Sequence, residues 1–186
     1  MYKQVTNAIF EMFEMTRTPR SGWQRAGLRE GIENDAEHTC LMAQIAFILA
    51  VMEGVKNPEL VACKGLFHDN GEPRTGDVNK LNLRYFKKTE GERAAFYDFT
   101  ERLPEQVKER LRTYFNEFEM GTSKHAIILK DADLLQMAFQ GKYYVSIGYK
   151  FAQQFIDGAG KKLQTDSAKH IFEHLGTTDF FEWCIN

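Results

Sequence analysis

Apolar residues recur along this chain at intervals of three and four, and the alternating runs that a half-buried strand needs are nearly absent. Val5, Ile9, Met12 and Phe13 form one stripe near the N-terminus, and Leu41, Met42, Ile45 and Leu49 form a second. The four prolines, Pro19, Pro58, Pro73 and Pro104, fall at the edges of these patterns. Asn34 followed by Glu37 has the spacing of a capping box, which predicts a helix from Asn34 to a stop at Gly54. Asn57-Pro58 predicts the next start, with Asn57 as the cap and proline at the first helical position. Leu60 to Phe67 is apolar except at Lys64, the pattern of a helix enclosed by its neighbours. Further helices are predicted over 88–101, 105–118, 123–140, 143–156 and 165–175. Three stretches lack this period: a basic one over 17–31, a polar one from His68 through Asp77, and a short linker over 158–165. The expectation is an all-α fold, one compact bundle of about seven or eight helices spanning 1–186.

The 186 residues suit one domain with a core large enough to need no disulfide. With 24 Lys plus Arg against 26 Asp plus Glu, the net charge of −2 supplies no broad field for a nucleic-acid polymer, and none is expected as a partner. The longest apolar run, around Ile45 to Met52, is well short of the roughly 20 residues a membrane span needs. The N-terminus has no signal-peptide core. No membrane partner and a cytoplasmic location are therefore expected. Cys40, Cys63 and Cys184 are odd in number and widely spaced, which points to neither a disulfide framework nor a zinc ribbon. Cys40 and Cys63, set in apolar helical pattern, are expected to be buried thiols.

The candidate chemistry begins at His68-Asp69, an imidazole and a carboxylate delivered together by the end of an enclosed helix. A desolvated carboxylate is costly unless it is paired or bound to a metal. His38 shares a stripe with Leu41, Met42, Ile45 and Leu49 and is expected to face inward, towards the helix that carries His68. The segment Ala126 to Leu135 places Asp131 and Asp133 in an apolar helix, and periodicity alone does not choose which one points inside. Two histidines and an aspartate pair from three helices form a mixed nitrogen–oxygen set. Such a set suits one divalent ion, Mn, Co, Zn, Ni, Fe or Mg, with open water positions, better than a closed zinc site.

The order His38, His68-Asp69, Asp133 resembles the signature of the HD-domain metal-dependent phosphohydrolases, and in particular their 5′-deoxynucleotidase branch. The resemblance covers about 15–145 and includes Arg20-Ser21-Gly22-Trp23, Ala36-Glu37-His38 and the long run from Leu66 to Asp77. It implies His38, His68, Asp69 and Asp133 as the metal ligands, leaving Asp131 as a neighbour on an adjoining face. It implies that Glu72 assists the attacking water or the leaving group, that Arg20 and Trp23 orient the phosphate and cover the nucleoside, and that Asp77 contacts the sugar. The implied activity removes phosphate from (deoxy)nucleoside 5′-monophosphates. Alternatives are a different nucleotide substrate (a cyclic nucleotide, a nucleoside triphosphate or (p)ppGpp) and a non-catalytic metal-stabilised module. Relatives of this kind are commonly dimers, and with 15 Phe and 7 Tyr leaving apolar surface to cover, a homodimer is expected. The chain departs from the family pattern at Glu33-Asn34-Asp35-Ala36 and at Gln136, where Glu-Ser-Val and Glu are usual.

Overall fold

The capping box forms as its spacing predicts: the Asn34 side chain accepts from the Glu37 N–H, and the Glu37 carboxylate accepts from the Asn34 N–H. It starts helix α3 (Asp35–Met52), the central element of a computed structural model that describes residues 1–85 and 87–185. Ahead of it lie α1 (Tyr2–Phe13) and the short α2 (Ser21–Arg25). After it come α4 (Pro58–Gly65), α5 (Glu72–Thr75), α6 (Lys88–Glu101) and α7 (Glu105–Met120). The long α8 (Lys124–Ser146), α9 (Gln153–Gly160) and α10 (Asp166–Thr177) complete the α-helices among the described residues. No strand occurs among the described residues. Pro58 opens α4 as predicted, although Asn57 makes no side-chain cap there.

The all-α expectation holds, but the described residues form ten α-helices where about seven or eight were expected. Two of the additions, α2 and α5, are only five and four residues long, too short to carry a periodic stripe, and they lie in segments that read as loops. The predicted break near Gln140 is absent, because α8 runs on to Ser146. Gly141 is there to admit a neighbour: a Cβ at that position would sit 3.0 Å from Ile156 Cγ1 of α9.

α3, α4 and α8 pack on one another around Met42, Leu49, Val61, Ile128, Leu129 and Leu135. A second core of Phe96, Phe99, Leu111 and Phe115 lies beneath α1. A third gathers Trp23, Leu28 and Tyr144. Two expectations about α3 and α4 are corrected. Leu41 is 45% exposed, so the inward stripe of α3 is Asp35, His38, Thr39, Met42 and Leu49. Apolar residues on the outer side, Leu41, Ile48 and Val51, blur that stripe in the sequence. Cys40 is exposed and Cys63 half-buried, so neither is a buried thiol. α3 is also long and apolar enough to cross a membrane by length and composition, and here it is the helix at the centre of the bundle.

α5 and α6 approach closely at Gly71, where an added Cβ would lie 2.8 Å from the Glu92 carbonyl oxygen and 3.4 Å from the Phe96 nitrogen. Both are backbone atoms that no rotamer change can move. Gly71→Ala should therefore push α6 from α5 and lower the unfolding free energy by about 1–3 kcal/mol, read by denaturant titration. An unchanged midpoint would show that this contact does not set the spacing of the two helices.

Candidate metal centre

His38 enters from the first turns of α3 and is fully buried. Its Nδ1 lies 2.6 Å from Gln136 Oε1. Its Nε2, buried and without a hydrogen-bond partner among the described residues, lies 3.3 Å from Asp133 Oδ1 and 3.7 Å from Asp69 Oδ2. His68 follows the end of α4, with Nδ1 2.7 Å from the Gly65 carbonyl and Nε2 3.1 Å from Asp69 Oδ2. Each ring thus turns Nδ1 to a carbonyl oxygen that can only accept, which directs the Nε2 lone pair at the carboxylates. One ligand atom from each of His38, His68 and Asp69 lies within 4.8 Å of the others. Lone pairs and carboxylate oxygens converging in this way repel one another unless a cation stands between them. A mixed nitrogen–oxygen set without cysteine fits a divalent first-row ion or Mg²⁺.

Asp133 and Asp131, indistinguishable by period, are separated by the structure. Asp133 has 35% of its side chain exposed and faces the cluster. Asp131 is fully buried on another face, where its carboxylate accepts from the N–H groups of Gln164 (2.9 Å) and Thr165 (2.7 Å) and from the Thr165 hydroxyl (2.7 Å). It is satisfied by the start of α10 and needs no cation.

Arg20 Nη1 stands among four carboxylates, 3.1 Å from Asp69, 3.4 Å from Glu72, 3.6 Å from Asp35 and 3.8 Å from Asp77. Glu72, the first residue of α5, is 1% exposed and is no solvated loop acid. Its Oε2 faces Arg20 and its Oε1 lies 3.2 Å from Lys88 Nζ. Asp77 Oδ2 accepts from the Ser21 N–H at 2.6 Å and the Asp77 carbonyl accepts from the Ser21 hydroxyl, tying the loop after α5 to the start of α2. Trp23 is 3% exposed, with its ring 5.0 Å from Tyr144 and 4.8 Å from Phe155 between centroids. Two cavities open beside the cluster, of about 410 and 290 Å³, sharing Arg20, Lys88, Asp133, Leu134 and Lys162. The larger adds Phe115, Phe118 and Lys130; the smaller adds Trp23, Asp77, Met137 and Phe155.

The charges respond to this crowding. Burial opposes ionisation of Asp69 and Asp133, but the neighbouring His68 and Arg20 for the first, and His38 and Arg20 for the second, override it. Asp69 is held well below the ordinary carboxylate range and Asp133 falls to about 2. Burial works against a charged His68, yet Asp69 and Asp133 raise its pKa. Burial and the adjacent Asp69 charge push Glu72 well up. Burial is also the main cause at Asp35, raised to about 7, whose two oxygens have no hydrogen-bond partner among the described residues.

Sequence reasoning missed Asp35, Lys88, Glu33 and Gln136. Only Gln136 carried a local signal, since it lies one turn after Asp133 in the same helix. Lys88 and Glu33 reach the site through contacts that no spacing announces.

The family model described as an HD domain matches residues 14–172. The chain is 25% identical over 173 residues to a 5′-deoxynucleotidase of Danio rerio, covering 85% of each. It is 25% identical over 166 residues to a 5′-deoxynucleotidase of Pasteurella multocida, covering 81% of this chain and 84% of that one. Among solved structures, a conserved hypothetical protein from Pyrococcus furiosus superposes with a TM-score of 0.78 at 25% identity, covering 93% of this chain and 99% of that one.

Asp35 gives the centre a pH signature. Its carboxyl titrates near 3.8 in the unfolded chain and near 7 in the folded one. Across that interval the folded chain keeps a proton that the unfolded chain has lost, so stability falls as pH rises and the loss is complete above about pH 7. Asp35→Asn in chelator should therefore be more stable than the parent at pH 8, on the order of 2 kcal/mol, with the gain shrinking towards pH 4.5. A gain independent of pH would contradict the assignment. Asp131→Ala should lose stability by about 1–3 kcal/mol while elemental analysis shows the parent's metal content.

Proposed function

This chain belongs to the HD-domain family, and on that premise we propose that it is a metal-dependent phosphomonoesterase that removes the 5′-phosphate from (deoxy)nucleoside monophosphates. The observation that carries this reading is the pair of inward Nε2 atoms of His38 and His68, set against Asp69 and Asp133 at the mouth of two cavities rimmed by Arg20 and Lys88. The 5′-deoxynucleotidase names of its relatives in Danio rerio and Pasteurella multocida support the same substrate class.

In this reading His38, His68, Asp69 and Asp133 hold one divalent ion, whose identity the donor set leaves open among Mn, Co, Zn, Ni, Fe and Mg. Such an ion supplies Lewis acidity to the phosphate oxygens and a water of lowered pKa. The protein's own residues do the rest. Arg20 and Lys88 offer donors to the non-bridging phosphate oxygens, and Arg20 exchanges part of its carboxylate contact for them. Glu72 Oε2 holds and takes the proton of the attacking water. Its raised pKa, set by burial and Asp69, lets the same carboxyl hand a proton to the leaving 5′ oxygen. Trp23, Phe155 and Met137 wall the smaller cavity, where an apolar nucleoside face is sheltered, and Asp77 accepts from a sugar hydroxyl. A structural metal site would have no use for a buried Glu72 clamped between two cations, which disfavours the non-catalytic alternative.

We also propose a homodimer, because apolar residues remain exposed along α3 and α8: Leu41, Ile48, Val51 and Phe139. The cytoplasm is the proposed location.

Phosphate release from deoxynucleoside 5′- and 3′-monophosphates, with metal-loaded protein, tests the function. The 5′ compounds should turn over and the 3′ compounds should not. Glu72→Gln should keep metal content and KM while turnover falls by about 10²-fold or more. Near-normal turnover with matched metal content would overturn the role of Glu72, and equal hydrolysis of both phosphate positions would overturn the substrate class.

A further inference from the structure

An unbroken run of buried hydrogen bonds joins the aromatic wall of the smaller cavity to His38. The Trp23 indole N–H donates to Glu33 Oε2 over 2.9 Å. The Gln136 side-chain amide donates to the other oxygen of Glu33, and Gln136 Oε1 faces His38 Nδ1 at 2.6 Å. Tyr144 fixes the far end, its hydroxyl accepting from the Glu33 backbone N–H at 2.9 Å. Trp23, Glu33, Gln136 and His38 are each less than 5% exposed, so water does not compete for these partners. Glu33 and Gln136 are 103 residues apart in sequence.

The direction of every bond follows from one end. An indole N–H can only donate, and an ionised carboxylate can only accept. Glu33 accepts at both oxygens, so Gln136 must turn its NH₂ to Glu33 and its carbonyl to His38. The reverse orientation would set an amide oxygen against a carboxylate and two N–H groups against an imidazole. Facing a carbonyl, His38 keeps its proton on Nδ1, and its Nε2 lone pair is turned towards Asp69 and Asp133.

We propose that Glu33 and Gln136 are positioning residues that lock the tautomer and ring orientation of His38 for metal binding, and that they link the ion to the Trp23 wall. This rests on His38 being a ligand, as the proposed function holds. The relay has a polarity, and the polarity can be broken and restored. In Gln136→Glu, the side chain at position 136 still accepts from His38, and the two carboxyls at positions 33 and 136 share one proton taken up between them. In Glu33→Gln, the amide at position 33 presents NH₂ to the NH₂ of Gln136. Gln136 relieves the conflict by flipping, which turns its own NH₂ to His38 and moves the imidazole proton to Nε2, where a metal must bind. The double exchange Glu33→Gln/Gln136→Glu re-establishes every donor and acceptor: amide oxygen to Trp23, amide NH₂ to the carboxylate at 136, carboxylate to His38.

Metal affinity measured by competition between Mn²⁺ or Co²⁺ and a chelator tests this, with His38→Ala as a control. Glu33→Gln should weaken affinity by about 10- to 100-fold, whereas Gln136→Glu, which keeps an acceptor at His38, and the double exchange should each stay within about 3-fold of the parent. A Glu33→Gln variant that binds as tightly as the parent, or a double exchange no better than Glu33→Gln, would overturn the relay. If His38→Ala itself leaves affinity unchanged, the ligand assignment fails instead. A second readout needs no variant to fold: ¹⁵N chemical shifts of the neutral imidazole in the metal-free parent should place the His38 proton on Nδ1. A proton on Nε2 would contradict the proposal.

Discussion

Two imidazoles and two carboxylates meet where α3, the turn after α4, and α8 come together, and the charge concentrated in that small volume constrains the rest of the molecule. His38 Nε2 is buried and has no hydrogen-bond partner among the described residues, and carboxylate oxygens of Asp133 and Asp69 face it at 3.3 and 3.7 Å. A buried arrangement of that kind is costly unless a cation answers it. Arg20 answers part of it, through one nitrogen set among four carboxylates. A divalent ion held there would answer the remainder, and in the proposed reaction Arg20 would then be able to turn to a phosphate. The geometry of the site thus follows from one electrostatic requirement.

The scaffold meets that requirement with local devices. The Asn34 capping box sets the first turn of α3, and with it the position of His38. The Gly65 carbonyl fixes the His68 ring one turn further along the chain. Gly71 lets α6 come close enough for Lys88 to reach Glu72. Asp131 spends its charge on the start of α10, which leaves Asp133 as the acid of α8 that faces the cluster. These elements pack through small buried residues such as Ala43, Ala46 and Ala132, so the helices lie near one another and short side chains suffice to meet.

What was readable in the sequence was local. The capping box, the proline at the start of α4, the dominance of helix and the His68-Asp69 pair all depend on residues a few positions apart. The HD-family resemblance supplied the choice of Asp133 over Asp131, which period could not make, since the two sit in one apolar helix on different inward faces. Helices α2 and α5 were missed because five and four residues cannot show a 3.6-residue period. The exposure of Leu41 and Cys40 was missed because α3 carries apolar residues on its outer face as well. Asp35 stands in a helix's first turn, where the helix dipole alone accounts for an acid, so its position in the sequence carries no signal of the site. Its burial beside Arg20 depends on a loop that folds back from Pro19 to Asn34. Glu33 lay beyond reach for the same reason, and the place of Gln136 one turn after Asp133 pointed to the site but not to its contact with Glu33, which joins distant segments.

Calorimetric titration of metal-free protein with Mn²⁺ decides whether this cluster holds one divalent ion. The account predicts one ion per chain, with binding lost in Asp69→Asn although that variant stays folded. Absence of binding in the parent, or the same affinity in Asp69→Asn, would contradict it.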